Sequence, residues 1–232
     1  MAAVPDWKNR LVIDTDLALL YAGFGQNAPS KWKARAEELA RELLDCLSVE
    51  VCWKAFDLEF LEDGIHLKGS RLVLPGSLAA AMLENCRQAV VLAGTLGFEF
   101  ERKLNVLTLC RPQDAVLFDA LGSAAMESVM DLLEEDIQHT EFMQGRYFTD
   151  RFSCGYGDLP LSLQRPIVDE LALTRHCGIY VSGAFMMYPT KSITAIAGIA
   201  DQVQPARIRG CAYCLMKETC ERRKGGKPCG VS

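Results

Sequence analysis

The chain has 232 residues, half of them hydrophobic, and 25 basic against 30 acidic side chains leave a net charge of −5. That is enough apolar sequence for a real buried core, in one large domain or one domain with an appendage, and nothing in the composition forces disorder. The longest apolar runs, such as AVVLAGTLGF from Ala89 to Phe98, fall far short of the roughly 18 residues a bilayer crossing needs. The first ten residues, MAAVPDWKNR, carry no cationic head leading into an apolar segment, so no secretory signal is expected and the protein is placed in the cytoplasm.

The first 30 residues frame an apolar segment, LVIDTDLALLYAGFG, whose local structure the pattern leaves open. From Trp32 to Leu47 the spacing of Ala36, Leu39, Leu43 and Leu47 predicts an amphipathic helix, with Arg35, Glu38, Arg41, Glu42 and Asp45 largely off the apolar stripe. Residues 49 to 74 read as extended, VEVCWKAFDLEF and IHLKGSRLVL flanking a turn at Glu62, Asp63 and Gly64. Ala89 to Gly97 predicts a strand covered on both faces, because its apolar run is continuous rather than alternating. A helical segment follows from Phe98 to Leu107. Pro112 then suits the first turn of a long helix with a step-of-four stripe of Leu117, Leu121, Ala125, Val129, Leu133 and Ile137. Glu134, Glu135 and Asp136 are expected to be its solvated end, since no histidine pairs with them at ligand spacing.

Arg146 to Gln164, RYFTDRFSCGYGDLPLSLQ, is unusual for a connector. Gly155 and Gly157 let backbone approach a ligand without an intervening Cβ, and Arg151 offers a planar fork for a carboxylate or phosphate. Tyr156, between the glycines, presents a ring face and a hydroxyl. A tight structural loop would use the same residues. Leu161 to Leu173 is then read as a helix despite Pro166, and Ile179 to Tyr188 and Ile193 to Ile199 as two strands joined through Pro189 to Ser192. His66, His139 and His176 lie far apart and take ordinary roles. No Walker-type phosphate loop and no repeat is present.

The tail, residues 205 to 232, differs from the body. It holds seven basic residues against Glu218 and Glu221, leaving 18 basic and 28 acidic residues upstream. It also concentrates Cys211, Cys214, Cys220 and Cys229, four of ten cysteines, in the last 22 residues. In a reducing compartment such crowding points away from disulfides and toward a metal. The spacing, a CxxC followed by five and then eight intervening residues, matches neither paired CxxC zinc motifs nor the bacterial ferredoxin run. A metal site is expected, with [4Fe-4S] ahead of zinc, and free thiols as the alternative. Arg222, Arg223, Lys224 and Lys227 would attract an acidic electron donor of the flavodoxin or ferredoxin kind, while a single tail aromatic, Tyr213, argues against nucleic acid.

At RFSCGYGDLPLS, followed by GIYVSGAFMMYPTKSITAIAG, the sequence resembles the reactivation domain of cobalamin-dependent methionine synthase, and especially short stand-alone proteins similar to it. The resemblance is strongest over residues 146 to 199 and extends more weakly back through AGTLGFEFERKL and the helix at Pro112. It implies an α+β fold with an antiparallel sheet and packed helices over residues 1 to 204, followed by the cysteine tail. It also implies S-adenosylmethionine as methyl donor and cobalamin carried by a partner, a corrinoid-binding methyltransferase with no membrane involved. By motif position Arg151 would hold the cofactor's methionine carboxylate and Ser153 would lend backbone groups. Gly155 would allow close approach, and Tyr156 would stand near the reacting methyl. Tyr188 and Lys191 would line the second loop, Lys191 being available to a corrinoid phosphate or carboxylate or simply solvated. Cys154 stands where the family usually has proline, and Gly183 where many members carry a glutamate. The implied activity is reductive methylation of cob(II)alamin; the alternative is a module that binds corrinoid proteins or carries metal without methyl transfer.

Overall fold

In a computed structural model of the chain, the described residues are 7–24 and 28–205, with 218, 219 and 224. In chain order the elements are α1 (Trp7–Arg10), α2 (Thr15–Tyr21), α3 (Ser30–Cys46), β1 (Glu50–Leu61), β2 (Gly64–Leu67), β3 (Val73–Leu74), α4 (Ser77–Met82), β4 (Gln88–Thr95), α5 (Phe98–Cys110), α6 (Pro112–Gln138), β5 (Tyr147–Phe148), α7 (Gln164–Glu170), α8 (Leu173–His176), β6 (Tyr180–Val181), β7 (Met187–Tyr188) and β8 (Ser192–Ala200). The fold is α+β, an antiparallel sheet with helices, as expected. Among the described residues no helix is long and apolar enough to cross a membrane.

The chain forms two compact units. One comprises Met1–Val49, Leu96–Leu132 and Ile208–Ser232, the other Glu50–Thr95 and Leu133–Arg207. The boundary expected at residue 205 falls at the edge of the described residues.

The first unit is helical. The apolar segment left open by the pattern is α2, started by Asp14, whose Oδ1 accepts from Leu17 N at 2.8 Å and satisfies one of the free amides of the first turn. In α3 the apolar positions Ala36, Leu39 and Leu43 are buried, as the period predicts. Phe100 of α5 stacks on Phe118 of α6 at 5.1 Å, and both rings are fully buried. Arg35 makes a two-pronged contact to Asp114, 3.2 and 2.7 Å, and Lys103 bonds Glu42 at 2.8 Å. The guanidinium therefore holds the Asp114 carboxyl below its ordinary range.

The second unit is built on a six-stranded sheet of order β3-β2-β1-β4-β8-β5, every pairing antiparallel. β4 lies between β1 and β8 and is buried from Ala89 to Thr95. This explains its unbroken apolar run: an interior strand covered on both faces has no solvent side to make polar. All six residues of the long α6 stripe are buried; Leu133 and Ile137 are the two that belong to this unit.

Two expectations need correction. Ile179 to Tyr188 is not one strand but a hairpin of β6 and β7, in which Val181 pairs Met187 and Tyr180 pairs Tyr188. Its reversal is made by residues 182 to 186, with Ser182 N donating to Met186 O and Phe185 at φ 61°. The apolar run through this stretch concealed the turn because Ala184, Phe185 and Met186 keep its hydrophobicity. Leu161 to Leu173 is likewise not one helix. A 3-10 turn, Leu161–Leu163, leads into α7, and Ala172 at φ 48° separates α7 from α8. Pro166 falls within the first turn of α7, where its missing N–H costs little.

Candidate functional site

The loop after β5 is tied to the sheet before it turns. Phe152 exchanges two backbone hydrogen bonds with Ile196 of β8, at 2.9 and 2.8 Å. Alternation then sends the next side chain back along the chain, Arg151, to the opposite face. There its Nη1 lies 3.1 Å from Glu134 Oε2 at the end of α6, with side chains only 6% and 15% exposed. Glu134 is thus not part of a solvated end: it is a nearly buried carboxylate paired with a buried arginine. Isolated charges could not sit at this depth, so each fixes the other.

Beyond Arg151 the chain closes a small turn. Gly155 N donates to Leu159 O at 2.8 Å, Tyr156 N to Ser153 O at 3.2 Å and Leu159 N to Tyr156 O at 2.9 Å. Gly155 and Gly157 both have positive φ, 90° and 53°, which L side chains adopt at a cost. A Cβ there would also press on Leu161 and Leu78, at 3.3 Å each. Tyr156 stands between them, 61% exposed.

Asp158 pins this turn to α4, accepting from Ser77 N at 2.6 Å, Ser77 Oγ at 2.8 Å and Leu78 N at 3.0 Å. It caps that helix from 80 residues away, and those donors hold its carboxyl down at about 2. Gln164, which ends the segment, is buried, and its Oε1 has no hydrogen-bond partner among the described residues.

The second loop follows the β6–β7 hairpin. Tyr188 stacks on its cross-strand neighbour Tyr180 at 5.4 Å, and Arg165 Nη2 donates to the Val181 and Ser182 carbonyls at 3.2 and 3.0 Å. Tyr188 and Pro189 are joined by a cis peptide. Ser192 Oγ lies 2.6 Å from Pro189 O and 2.8 Å from Thr95 Oγ1. Its one proton can be given to only one of these two acceptors at a time. Lys191 is half-buried beside it. Gly183 is exposed, outside the positive-φ region, with open space where a side chain would stand. Neither backbone nor packing demands glycine there.

Of the expected site residues, Arg151, Ser153, Gly155 and Tyr156 share the first turn, and Tyr188 and Lys191 the second. Cys154 is buried, and burial pushes its thiol up to about 11, so it packs as a small apolar side chain. Cys211, Cys214, Cys220 and Cys229 lie outside the described residues. Among the described residues no group of three or more metal-binding side chains occurs.

The sequence reading missed Glu134, Asp158 and Arg165. A signal existed for Glu134: Phe118, Gly122, Met126 and Met130 form a second buried column at steps of four, and Glu134 is its next member. Asp158 and Arg165 act on partners 80 and 16 or 17 residues away, and no local pattern marks them.

No protein-family model matches the sequence, and none of the curated proteins does. A solved structure described as the crystal structure of the MetH reactivation domain bound to AdoHcy superposes with a TM-score of 0.58. The chain shares that domain's fold. The likeness covers 84% of this chain and 73% of that one at 14% identity, which establishes architecture.

Proposed function

We propose that this protein reactivates a corrinoid methyltransferase, methionine synthase being the leading candidate, by reductive methylation of cob(II)alamin with S-adenosylmethionine. The observation that carries this reading is the buried Arg151–Glu134 pair at the root of the Gly155-Tyr156-Gly157 turn. An α-amino acid end is a zwitterion, and a fixed cation beside a fixed anion is its complement. The fold likeness to a domain whose structure holds AdoHcy supports the same assignment.

The residues present fit such a ligand. Gln164 Oε1 is a buried acceptor with no hydrogen-bond partner among the described residues. S-adenosylmethionine supplies an electrophilic methyl group on a sulfonium, and the corrinoid of a separate protein supplies the nucleophilic metal. Arg151 would orient the carboxylate, Glu134 would hold Arg151 in place and meet the ammonium, and Ser153 and Gly155 would offer backbone groups. Tyr156 would present its ring to the sulfonium end, with Tyr188 and Lys191 on the corrinoid side. No general base is needed, so catalysis would be positioning.

The test is anaerobic conversion of cob(II)alamin on a corrinoid protein to methylcobalamin, with reductant and S-adenosylmethionine. Wild type should stimulate it and Arg151→Lys, which keeps the charge and loses the fork, should not. Equal rates with and without wild-type protein would sink the reading. In that case calorimetry showing no binding at millimolar S-adenosylmethionine would favour a non-catalytic corrinoid-protein module. The cysteine tail is a separate part of the proposal: Cys211, Cys214, Cys220 and Cys229 would hold a [4Fe-4S] cluster or zinc. Metal analysis of anaerobically purified protein, with an absorbance band at about 400 nm for the cluster, decides between them.

A further inference from the structure

Glu134 lies 3.1 Å from Arg151, and the helix that carries it, α6, ends one turn later at Gln138. A helix end frays unless something holds it, because its last carbonyls have no partner within the helix. Gln138 follows Glu134 at a step of four and so stands on the same side of the helix. Its Nε2 donates to the main-chain oxygen of Arg146 at 2.8 Å.

Arg146 in turn reaches the sheet with its side chain. Its Nη1 donates to Oε1 of Gln88, the first residue of β4, at 2.6 Å. Gln88 Nε2 donates to Asp57 Oδ1 of β1 at 2.7 Å, and the two residues are cross-strand partners. The Arg146 guanidinium also lies over the Phe142 ring at 4.7 Å, and Phe142 meets Trp53 of β1 at 6.1 Å. Trp53 and Asp57 alternate onto one face of β1. Followed through the register of β4 and β8, that face carries Ala195 and Ala197. Phe152 is bridged to Ile196, so Arg151 points to this same face.

Arg146 therefore spans the gap twice. Its carbonyl takes the end of α6 and its guanidinium takes β4, so the turn bearing Glu134 is fastened to the sheet face that presents Arg151.

We propose that Arg146 is a positioning residue that sets how Glu134 meets Arg151, and thereby the spacing of anion and cation offered to an amino-acid zwitterion. It touches no ligand itself. The ligand half of this inference rests on the function proposed above, and the positioning half rests on the bond network alone. A carboxylate and a guanidinium that must meet both charges of one small molecule tolerate little error, since a misplacement of about 1 Å can cost about a hundredfold.

Two measurements on full-length protein test it. The first needs no ligand: urea unfolding of Glu134→Gln, Arg151→Lys and the double variant gives the coupling within the pair. The same cycle is repeated with Arg146→Met, which keeps an apolar stem beside Phe142 and removes the donor. The coupling should fall by at least about half. The second is calorimetry with S-adenosylmethionine. Arg146→Met should raise Kd about tenfold, and Arg146→Lys should recover part of the loss. Gln88→Met removes the same bond from the other side, so it should match Arg146→Met and add nothing in the double variant. Lys54→Met breaks the Lys54–Glu170 pair on the other face of the sheet and should bind as wild type does.

Unchanged coupling overturns the proposal whatever the affinity does. Reduced coupling with unchanged affinity overturns the role in ligand placement, as does an equal loss of affinity in Lys54→Met. A wild type that binds no S-adenosylmethionine sinks the functional reading, and the coupling still decides the positioning. Should Arg146→Met fail to fold, Gln88→Met carries both measurements.

Discussion

The two loops proposed to meet a ligand are held by different means. The turn from Arg151 to Leu159 is fixed through long-range contacts: a bridge to β8, a buried ion pair to α6 and a carboxylate cap on α4. The hairpin from Tyr180 to Tyr188 is held by its own two pairings, an aromatic stack, one arginine and its packing beside α7 and β8, and its tip is open at Gly183. The first loop is part of the sheet's framework, and changing it disturbs the fold. The second is an attachment that can be altered while the fold stands, which makes it the place where specificity can be tuned.

Four changes test this contrast, from the largest expected effect to the smallest. Arg151→Ala leaves Glu134 nearly buried without its cation and should lower unfolding free energy by about 3 kcal/mol in urea titration. A loss below about 1 kcal/mol would mean the first loop is not part of the framework.

Asp158→Asn comes next. The Asp158 carboxyl is held at about 2 against an ordinary 3.8, so its stabilisation is complete above the unfolded value and is lost as pH falls toward the folded one. Melting temperature of wild type should drop faster than that of the variant between about pH 4 and pH 2. Parallel curves would show that the cap contributes nothing.

Arg165→Ala should cost about 0.5 kcal/mol, because its bonds are exposed. It should nevertheless speed amide exchange at Ser182 and Met186, read by NMR, while leaving β8 amides unchanged. Faster exchange in β8 would mean that the hairpin is coupled to the sheet.

Gly183→Glu should be neutral for stability within about 0.5 kcal/mol by thermal melting, since the site is open. On the proposed function it should tighten S-adenosylmethionine binding by a few-fold, measured by calorimetry, the worth of an exposed charge contact. Weakened binding would place the hairpin tip against the ligand in a way that excludes a carboxylate.

Sequence alone determined the elements whose burial follows from their own periodicity. The α6 stripe, the apolar face of α3 and the uninterrupted β4 run each state in a single local pattern which side meets the core. The glycine-tyrosine-glycine turn was legible for the same reason, because positive φ at two nearby positions needs glycine. Only tertiary structure decided what those elements bring together. Glu134 became the partner of Arg151 and Asp158 the cap of α4, through contacts spanning 17 and 80 residues. A charge or thiol obeys no period of its own. Its environment is set by whichever distant backbone folds against it, so the chemistry of this protein rests on pairings that the chain order keeps apart.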